Sequence, residues 1–325
     1  MSRPRHLSGS ASTGHPEVVP LPLPPPALPD APGREALRSD LTAAGYTVDR
    51  VEEVLGALAH GALHREQPHL AELRTRDLHD PVAVLVRCFV LGHPVPPEAL
   101  DRALPRTGTD GLRAAGLVTV ADGRARATCD LRPYGDERHT WWVASDLSEL
   151  AVGGPLPTTH VLGVGGASTT LAGWTPRPQV DRALDIGTGC GVQALHLAGH
   201  TAYRVVTDLS ERALAFARFT LGLNGIEADL RHGSLLEPVA GEQFDLIVSN
   251  PPFHRGAAKD STPSLEMIER AGDVLRPGGE LWLVFNSHLP YLPALRRHVG
   301  VTTIEARDRT YLVTRSLKQP ESPED

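Results

Sequence analysis

A chain of 325 residues, 41% hydrophobic and 22% charged, has room for two modest domains, each with its own core. A formal net charge of −7 excludes a protein that binds nucleic acid through overall charge, so any such surface has to be local. Cys88, Cys129 and Cys190 are widely spaced and form no Cys-x-x-Cys pair, which excludes a disulfide framework and a structural zinc site and points to a reducing compartment.

Residues 1–33 begin with Ser, Gly and Thr and continue into a proline run that favours polyproline II, so a disordered tail is expected. Prolines also interrupt the apolar run over 18–28, and no leader is read there. No apolar stretch approaches the ~20 residues of a bilayer span, and the cytoplasm is the expected location.

Residues 34–133 have a helical texture. Val51, Val54, Leu55 and Leu58 recur at helical spacing, with Asp40 upstream as a candidate cap. Pro81 opens an apolar run over 82–91 that reads as a buried helix, Pro96-Pro97 open a short helix to 104, and 110–115 form a third. Residues 117–120 and 124–131 read as a hairpin around Ala121-Asp122-Gly123, since Asp-Gly suits the turn. Three helices and a hairpin resemble a winged helix. Either Arg113, Arg124 and Arg126 contact nucleic acid, or the module simply packs on the rest of the chain. The second reading is adopted, because no long basic recognition helix appears.

Residues 134–180 form a linker. Trp141-Trp142-Val143 suggests a strand, and Gly163, Gly165 and Gly166 let a loop over 161–171 approach something closely. That loop is either a hinge or a cover over a cofactor. From 181 to 318 strands (183–186, 204–207, 229–231, 244–248, 281–285) alternate with helices (191–198, 211–223, 264–275), and 301–305 with 311–314 give an antiparallel finish. The expectation is an α/β fold: a mostly parallel seven-stranded sheet with helices on both faces, plus a smaller N-terminal helical domain. Residues 319–325 read as a tail.

Two motifs carry chemistry. Asp185-Ile-Gly187-Thr188-Gly189-Cys190-Gly191 places small residues where a strand turns into a helix. A glycine loop alone is weak, since dinucleotide enzymes carry G-x-G-x-x-G there. The G-x-G-x-G spacing with a preceding acid favours S-adenosylmethionine (SAM), whose ammonium suits Asp185. Asp208, followed by Leu209, ends the second strand and can accept from both ribose hydroxyls; an N-cap role for the helix near Ser210 is compatible. Ser234 and Leu235 end the third strand, where an adenine edge would lie. In Ser249-Asn250-Pro251-Pro252-Phe253 the prolines stop the strand and stiffen the backbone. Asn250 and the Pro251 carbonyl can then grip a planar amide or amino group, with Phe253 as a flat wall. Asn286 and Tyr291 either line the rim or serve structurally. Together these motifs read as a SAM-dependent N-methyltransferase with no metal.

Residues 180–253 resemble the class I, Rossmann-like SAM-dependent methyltransferases, and Asn250-Pro-Pro-Phe253 is similar to the (N/D/S)-P-P-(Y/F/W) motif of their amino-methylating members. With His254, and through 275–291 and 306–315, the sequence resembles the ribosomal RNA guanine-N2 methyltransferases. The resemblance implies methyl transfer to guanine N2 in rRNA. A protein glutamine amide, a small-molecule amine and a non-catalytic SAM- or DNA-binding role stay open. Arg255, Lys259, Arg296, Arg297, Arg307, Arg309, Arg315 and Lys318 either contact RNA or are solvated surface. The N-terminal half lacks the second, inactive methyltransferase-like domain of the rRNA enzymes; segments 130–135 and 161–171 resemble a group of uncharacterised bacterial methyltransferases.

Overall fold

The structure is a computed structural model that describes residues 23–63, 65, 67–77, 79–154, 156–251 and 262–319. Pro252, Phe253, His254, Arg255 and Lys259 lie outside the described residues, as do 1–22 and 320–325.

Order begins earlier than the expected end of the tail at residue 33. Helix α1 (Ala31–Ala43) starts where Asp30 accepts the Gly33 N–H at 2.9 Å, with a proline in its first turn. Ahead of it, the Ala27 N–H donates to the Ala115 carbonyl at 2.9 Å, and Leu28 packs on the core. Then come α2 (Val48–Leu63), interrupted at Gly56, α3 (His69–Arg74) and α4 (Pro81–Leu85). The helix expected over 82–91 is composite, since α4 runs into a π turn over Val86–Val90. After α5 (Pro97–Ala103) and α6 (Gly108–Ala114), β1 (Val118–Ala121) and β2 (Arg124–Ala127) pair antiparallel. Asp122 and Gly123 both take positive φ (52° and 67°), the turn that Asp-Gly favours. Val95 bridges to Ala125 on the hairpin's other side.

The strand expected over 124–131 is in fact two. Thr128 turns its hydroxyl to the Gly116 carbonyl, which ends the first hairpin. Asp130 then opens β3 (Asp130–Gly135), paired antiparallel with β4 (Thr140–Ser145). A short α7 (Glu149–Val152) follows. Instead of a loop through 171, α8 (Gly166–Trp174) occupies its second half.

The sheet comprises β5 (Val180–Ile186), β6 (Thr201–Asp208), β7 (Asp229–His232), β8 (Phe244–Ser249), β9 (Leu275–Asn286), β10 (Val301–Arg307) and β11 (Tyr311–Leu317). Between them lie α9 (Val192–Leu197), α10 (Glu211–Leu223), α11 (Thr262–Ala271) and α12 (Leu292–His298). The helix expected over 264–275 stops at Ala271, and α12 had no counterpart in the sequence reading. Strand order is β10-β11-β9-β8-β5-β6-β7, with β11 antiparallel to both neighbours and the rest parallel. The chain winds outward in opposite directions from β5 and β8, so the crevice at their carboxyl ends is the topological switch point.

Side-chain alternation divides the core between the sheet's faces. Leu184, Ile247, Leu281 and Phe285 meet Met267 and Ile268 of α11 and Leu295 of α12. Ala183, Val248, Trp282 and Val313 meet Leu171 of α8. A third cluster joins the N-terminal module to the sheet's helices: Leu37, Leu41, Phe89 and Trp142 share one core with Phe216, Phe219 and Leu223 of α10. Polar contacts close this seam. Asn224 accepts from the Trp142 N–H at 3.0 Å and donates to its carbonyl at 2.9 Å, while Thr220 accepts from the Ala144 N–H at 3.2 Å. Asp146 pairs with Arg212, and the indole N–H of Trp142 donates to the Tyr46 carbonyl at 2.8 Å. Among the described residues no helix is long and apolar enough to cross a membrane.

Candidate active site

Asp185, the glycine loop, Asp208 and Asn250 come together at the carboxyl ends of three adjacent strands, β6, β5 and β8. Asp185 near the end of β5 is 1% exposed, and its Oδ2 accepts from the Thr188 hydroxyl at 2.7 Å. Its Oδ1 is buried with no hydrogen-bond partner among the described residues. Burial pushes this carboxyl up to about 7; the Thr188 bond opposes the shift and the nearby Asp208 charge adds to it. The loop that follows needs its glycines, since Gly187, Gly189 and Gly191 have φ of 70°, 57° and 89°. A Cβ on Gly191 would press on Ala217 of α10, whereas one on Gly189 would meet nothing within 4 Å. Gly191 thus serves packing, and Gly189 faces open space. The Gly187 and Thr188 N–H groups donate to the Thr207 carbonyl at 2.9 and 3.0 Å, tying the loop to β6.

Asp208 is half-buried at the end of β6. One oxygen accepts the Gly189 N–H at 2.9 Å and the other the Ser210 N–H at 2.8 Å. It is not the helix cap suggested by sequence. Ser210 caps α10, accepting the Ala213 N–H at 3.2 Å, because it lies one residue before the helix and has extended backbone. Leu209 is 68% exposed. Beyond β7, Ser234 and Leu235 lie beside β6, where the Gly233 N–H donates to the Asp208 carbonyl at 3.1 Å. Leu235 adopts φ 49°, costly for a leucine and held by its packing on the core.

Ser249 ends β8 with its hydroxyl on the Ile186 carbonyl at 2.9 Å, which locks the ends of β8 and β5 together. Asn250 follows, half-buried, and Pro251 is buried. The Asn250 Nδ2 donates to Ser168 Oγ of α8 at 3.0 Å, and the Ser168 carbonyl accepts from Gln193 Nε2 of α9 at 2.9 Å. Ser168 and Gln193 had no signal in the sequence beyond the glycines that marked 161–171. Upstream, Val161 exchanges backbone bonds with Asp146: its N–H donates to Oδ2 at 2.8 Å and its carbonyl accepts the Asp146 N–H at 3.1 Å. Arg212 of α10 holds the same carboxylate. The segment 161–168, irregular up to Gly165 and helical from Gly166, therefore starts beside the helix after β6 and ends beside the residue after β8.

Among the described residues, some of the basic side chains have structural uses. Arg315 pairs with Glu280, and Lys318 donates to the Gly272 and Leu275 carbonyls at 2.8 and 2.7 Å, both structural uses. Arg307 and Arg309 are exposed at the β10–β11 turn; Arg124 and Arg126 are exposed on the distant hairpin. Tyr291 is buried against Phe285, with ring centroids 5.1 Å apart, and is no part of the rim; Asn286 ends β9.

Residues 164–315 match the methyltransferase small domain, and residues 43–128 match a domain of unknown function (DUF7059). The ribosomal RNA large subunit methyltransferase G of Streptomyces coelicolor is 40% identical over 142 residues, 42% of this chain and 38% of that one. The ribosomal RNA small subunit methyltransferase C of Ectopseudomonas mendocina is 39% identical over 200 residues, 59% of this chain and 57% of that one. The chain thus spans only 38% and 57% of these relatives' lengths. Among solved structures, the T. thermophilus 16S rRNA N2 G1207 methyltransferase (RsmC), in complex with AdoMet and guanosine, superposes with a TM-score of 0.50 at 21% identity. That match covers 75% of this chain and 70% of the other, and it shows a shared Rossmann-like fold. Residues 164–315 are thus similar in sequence to the methyltransferase small domain and share a Rossmann-like fold with the solved neighbour, while the helical module matches a different model over residues 43–128.

Proposed function

We propose that the protein is a cytoplasmic SAM-dependent N-methyltransferase whose acceptor is the exocyclic N2 of guanine in ribosomal RNA. The observation that carries this reading is the placement of Asn250 and Pro251 on the strand end next to a glycine loop with an unpartnered buried carboxylate oxygen. The residues present fit the cofactor. Among the described residues Asp185 Oδ1 has no hydrogen-bond partner of good geometry, the Ala194 N–H making only a weak approach to the carboxyl, and Gly189 opens onto free space. Asp208 can accept further hydrogen bonds from ribose hydroxyls, because each carboxylate oxygen has a second lone pair. Ser234 and Leu235 are assigned to the adenine, and Leu209 to the exposed rim beside it. When bound, SAM supplies a sulfonium-activated methyl group.

The rest of the chemistry belongs to the chain. A guanine amino group is a poor nucleophile because its lone pair is delocalised into the ring. Accepting one N–H on Asn250 Oδ1 and the other on the Pro251 carbonyl favours a pyramidal nitrogen and frees that pair for attack. Positioning provides most of the remaining acceleration, with reacting atoms held about 3–3.5 Å apart. Pro251 and Pro252 keep the grip stiff. Phe253 is assigned to stack on the base, an interaction worth ~1–3 kcal/mol, and a paired base has first to be unstacked at a few kcal/mol. The methylated ammonium is acidic and loses its proton to solvent, so no strong general base is required.

The test is transfer of tritiated methyl from SAM into fractionated lysate of a deletion strain. Label in rRNA, lost with Asn250→Ala, is the expected result. Label confined to protein would identify a glutamine amide as acceptor instead, and label in no fraction would overturn the enzymatic reading.

A further inference from the structure

A carboxamide has two faces of similar shape and opposite polarity, so a grip that must accept N–H bonds works in only one orientation. If the Asn250 amide were turned over, its NH2 would oppose the NH2 of the acceptor, donor against donor. Something has to hold it the right way round. The prolines after it fix the backbone and leave the side-chain torsions free.

The structure supplies that hold from another element. Nδ2 of Asn250 donates to Ser168 Oγ at 3.0 Å, across 82 residues of sequence. In this arrangement the nitrogen faces α8 and the oxygen of the planar group points away from it, an orientation that holds while the Ser168 hydroxyl accepts rather than donates. Ser168 is itself fixed, because its carbonyl accepts from Gln193, a side chain only 5% exposed on the first turn of α9. Gly191, the last glycine of the loop, immediately precedes α9 as its N-cap residue. Upstream, the segment that delivers Ser168 is pinned by Asp146 and Arg212. One chain of bonds thus links the glycine loop, α8 and the acceptor-gripping amide.

We propose that Ser168 is a positioning residue that orients the Asn250 carboxamide, with Gln193 setting the place of Ser168. The proposal rests on the functional reading above and deepens it, assigning a role to a residue outside both motifs.

The experiment uses the full-length protein and two readouts. The first is the Asn250 side-chain NH2 signal in an 15N spectrum, assigned by its disappearance in Asn250→Ala. The second is steady-state methyl transfer to the rRNA fraction, with SAM affinity measured separately by calorimetry. In Ser168→Ala the NH2 signal should move and exchange faster with water. Its kcat should fall about ten- to a hundredfold, the scale of a reacting group left slightly misplaced, while KM and SAM affinity hold. Ser168→Thr, which keeps the hydroxyl, should recover most of the loss, and Gln193→Met should show a weaker form of the same defect. Adding Ser168→Ala to Asn250→Ala should cost nothing further. An unmoved NH2 signal overturns the proposal, as does an unchanged kcat or a loss of SAM affinity as large as the loss of kcat. Should the unaltered protein label no RNA, the functional reading fails by itself. The NH2 signal then still decides the contact: displacement in Ser168→Ala supports it, and constancy overturns it.

Discussion

The seam between the N-terminal module and α10 and the carboxyl edge of the sheet are both rich in polar groups, and they treat them in opposite ways. At the seam every group described has its partner: Trp142 with Asn224 and Tyr46, Ala144 with Thr220, Asp146 with Arg212. At the sheet edge a buried carboxylate oxygen has none among the described residues, a leucine sits at positive φ, and three glycines hold conformations other residues avoid. Buried polar groups are costly when unpaired, so closed networks hold an architecture and open ones await a ligand. The contrast sets the proposed site apart from the seam that holds the module to the sheet.

Four changes would break or sharpen that contrast. Asn250→Ala acts on the open edge and should cut methyl transfer at least about a hundredfold, the scale of removing one preorganised polar group, with melting temperature and SAM affinity preserved. Trp142→Ala acts on the seam and should cost about 3–5 kcal/mol of stability, visible in denaturant melts as a single earlier transition of the whole chain. Two separate transitions would show that the module and the sheet are independent after all.

The third change is pH. Asp185 is protonated below about 7 in the free protein, against an ordinary value of 3.8. An ammonium partner favours the carboxylate, so binding releases a proton below that point. SAM affinity, followed by calorimetry, should rise by about tenfold per pH unit from 5 to 7 and level off above, and Asp185→Asn should flatten the profile. The same group makes the unliganded fold more stable on the acid side. The folded chain holds a proton the unfolded chain has released, and that advantage is lost as pH rises through 7. Smallest is Asp208→Ala, which should weaken SAM binding about tenfold, the worth of a charge-assisted hydrogen bond. An unaltered dissociation constant would remove the ribose role.

What sequence reveals follows the same division. Asp185, the loop glycines, Asp208 and Asn250 sit where strand periodicity ends, so pattern and chemistry locate them together. Contacts between distant segments leave no such trace. Ser168 meets Asn250 from 82 residues away, and nothing around either residue announces the other. Local exceptions were also hidden. Thr128 looks at home in a strand, yet its hydroxyl ends one by reaching for Gly116. Pro293 reads as a breaker but occupies the first turn of α12, where its missing N–H costs nothing. The π turn after α4 follows from packing of an apolar run that has no internal periodicity.

Asn224 does more than join two parts. Its carboxamide offers β4 one acceptor and one donor at the spacing of a peptide unit, so a single side chain imitates a neighbouring strand. An edge occupied in this way is not a template on which another chain can lengthen the ribbon. Aspartate at this position, equal in shape but lacking the donor, would leave the Trp142 carbonyl without its partner on a side of the strand that α10 covers.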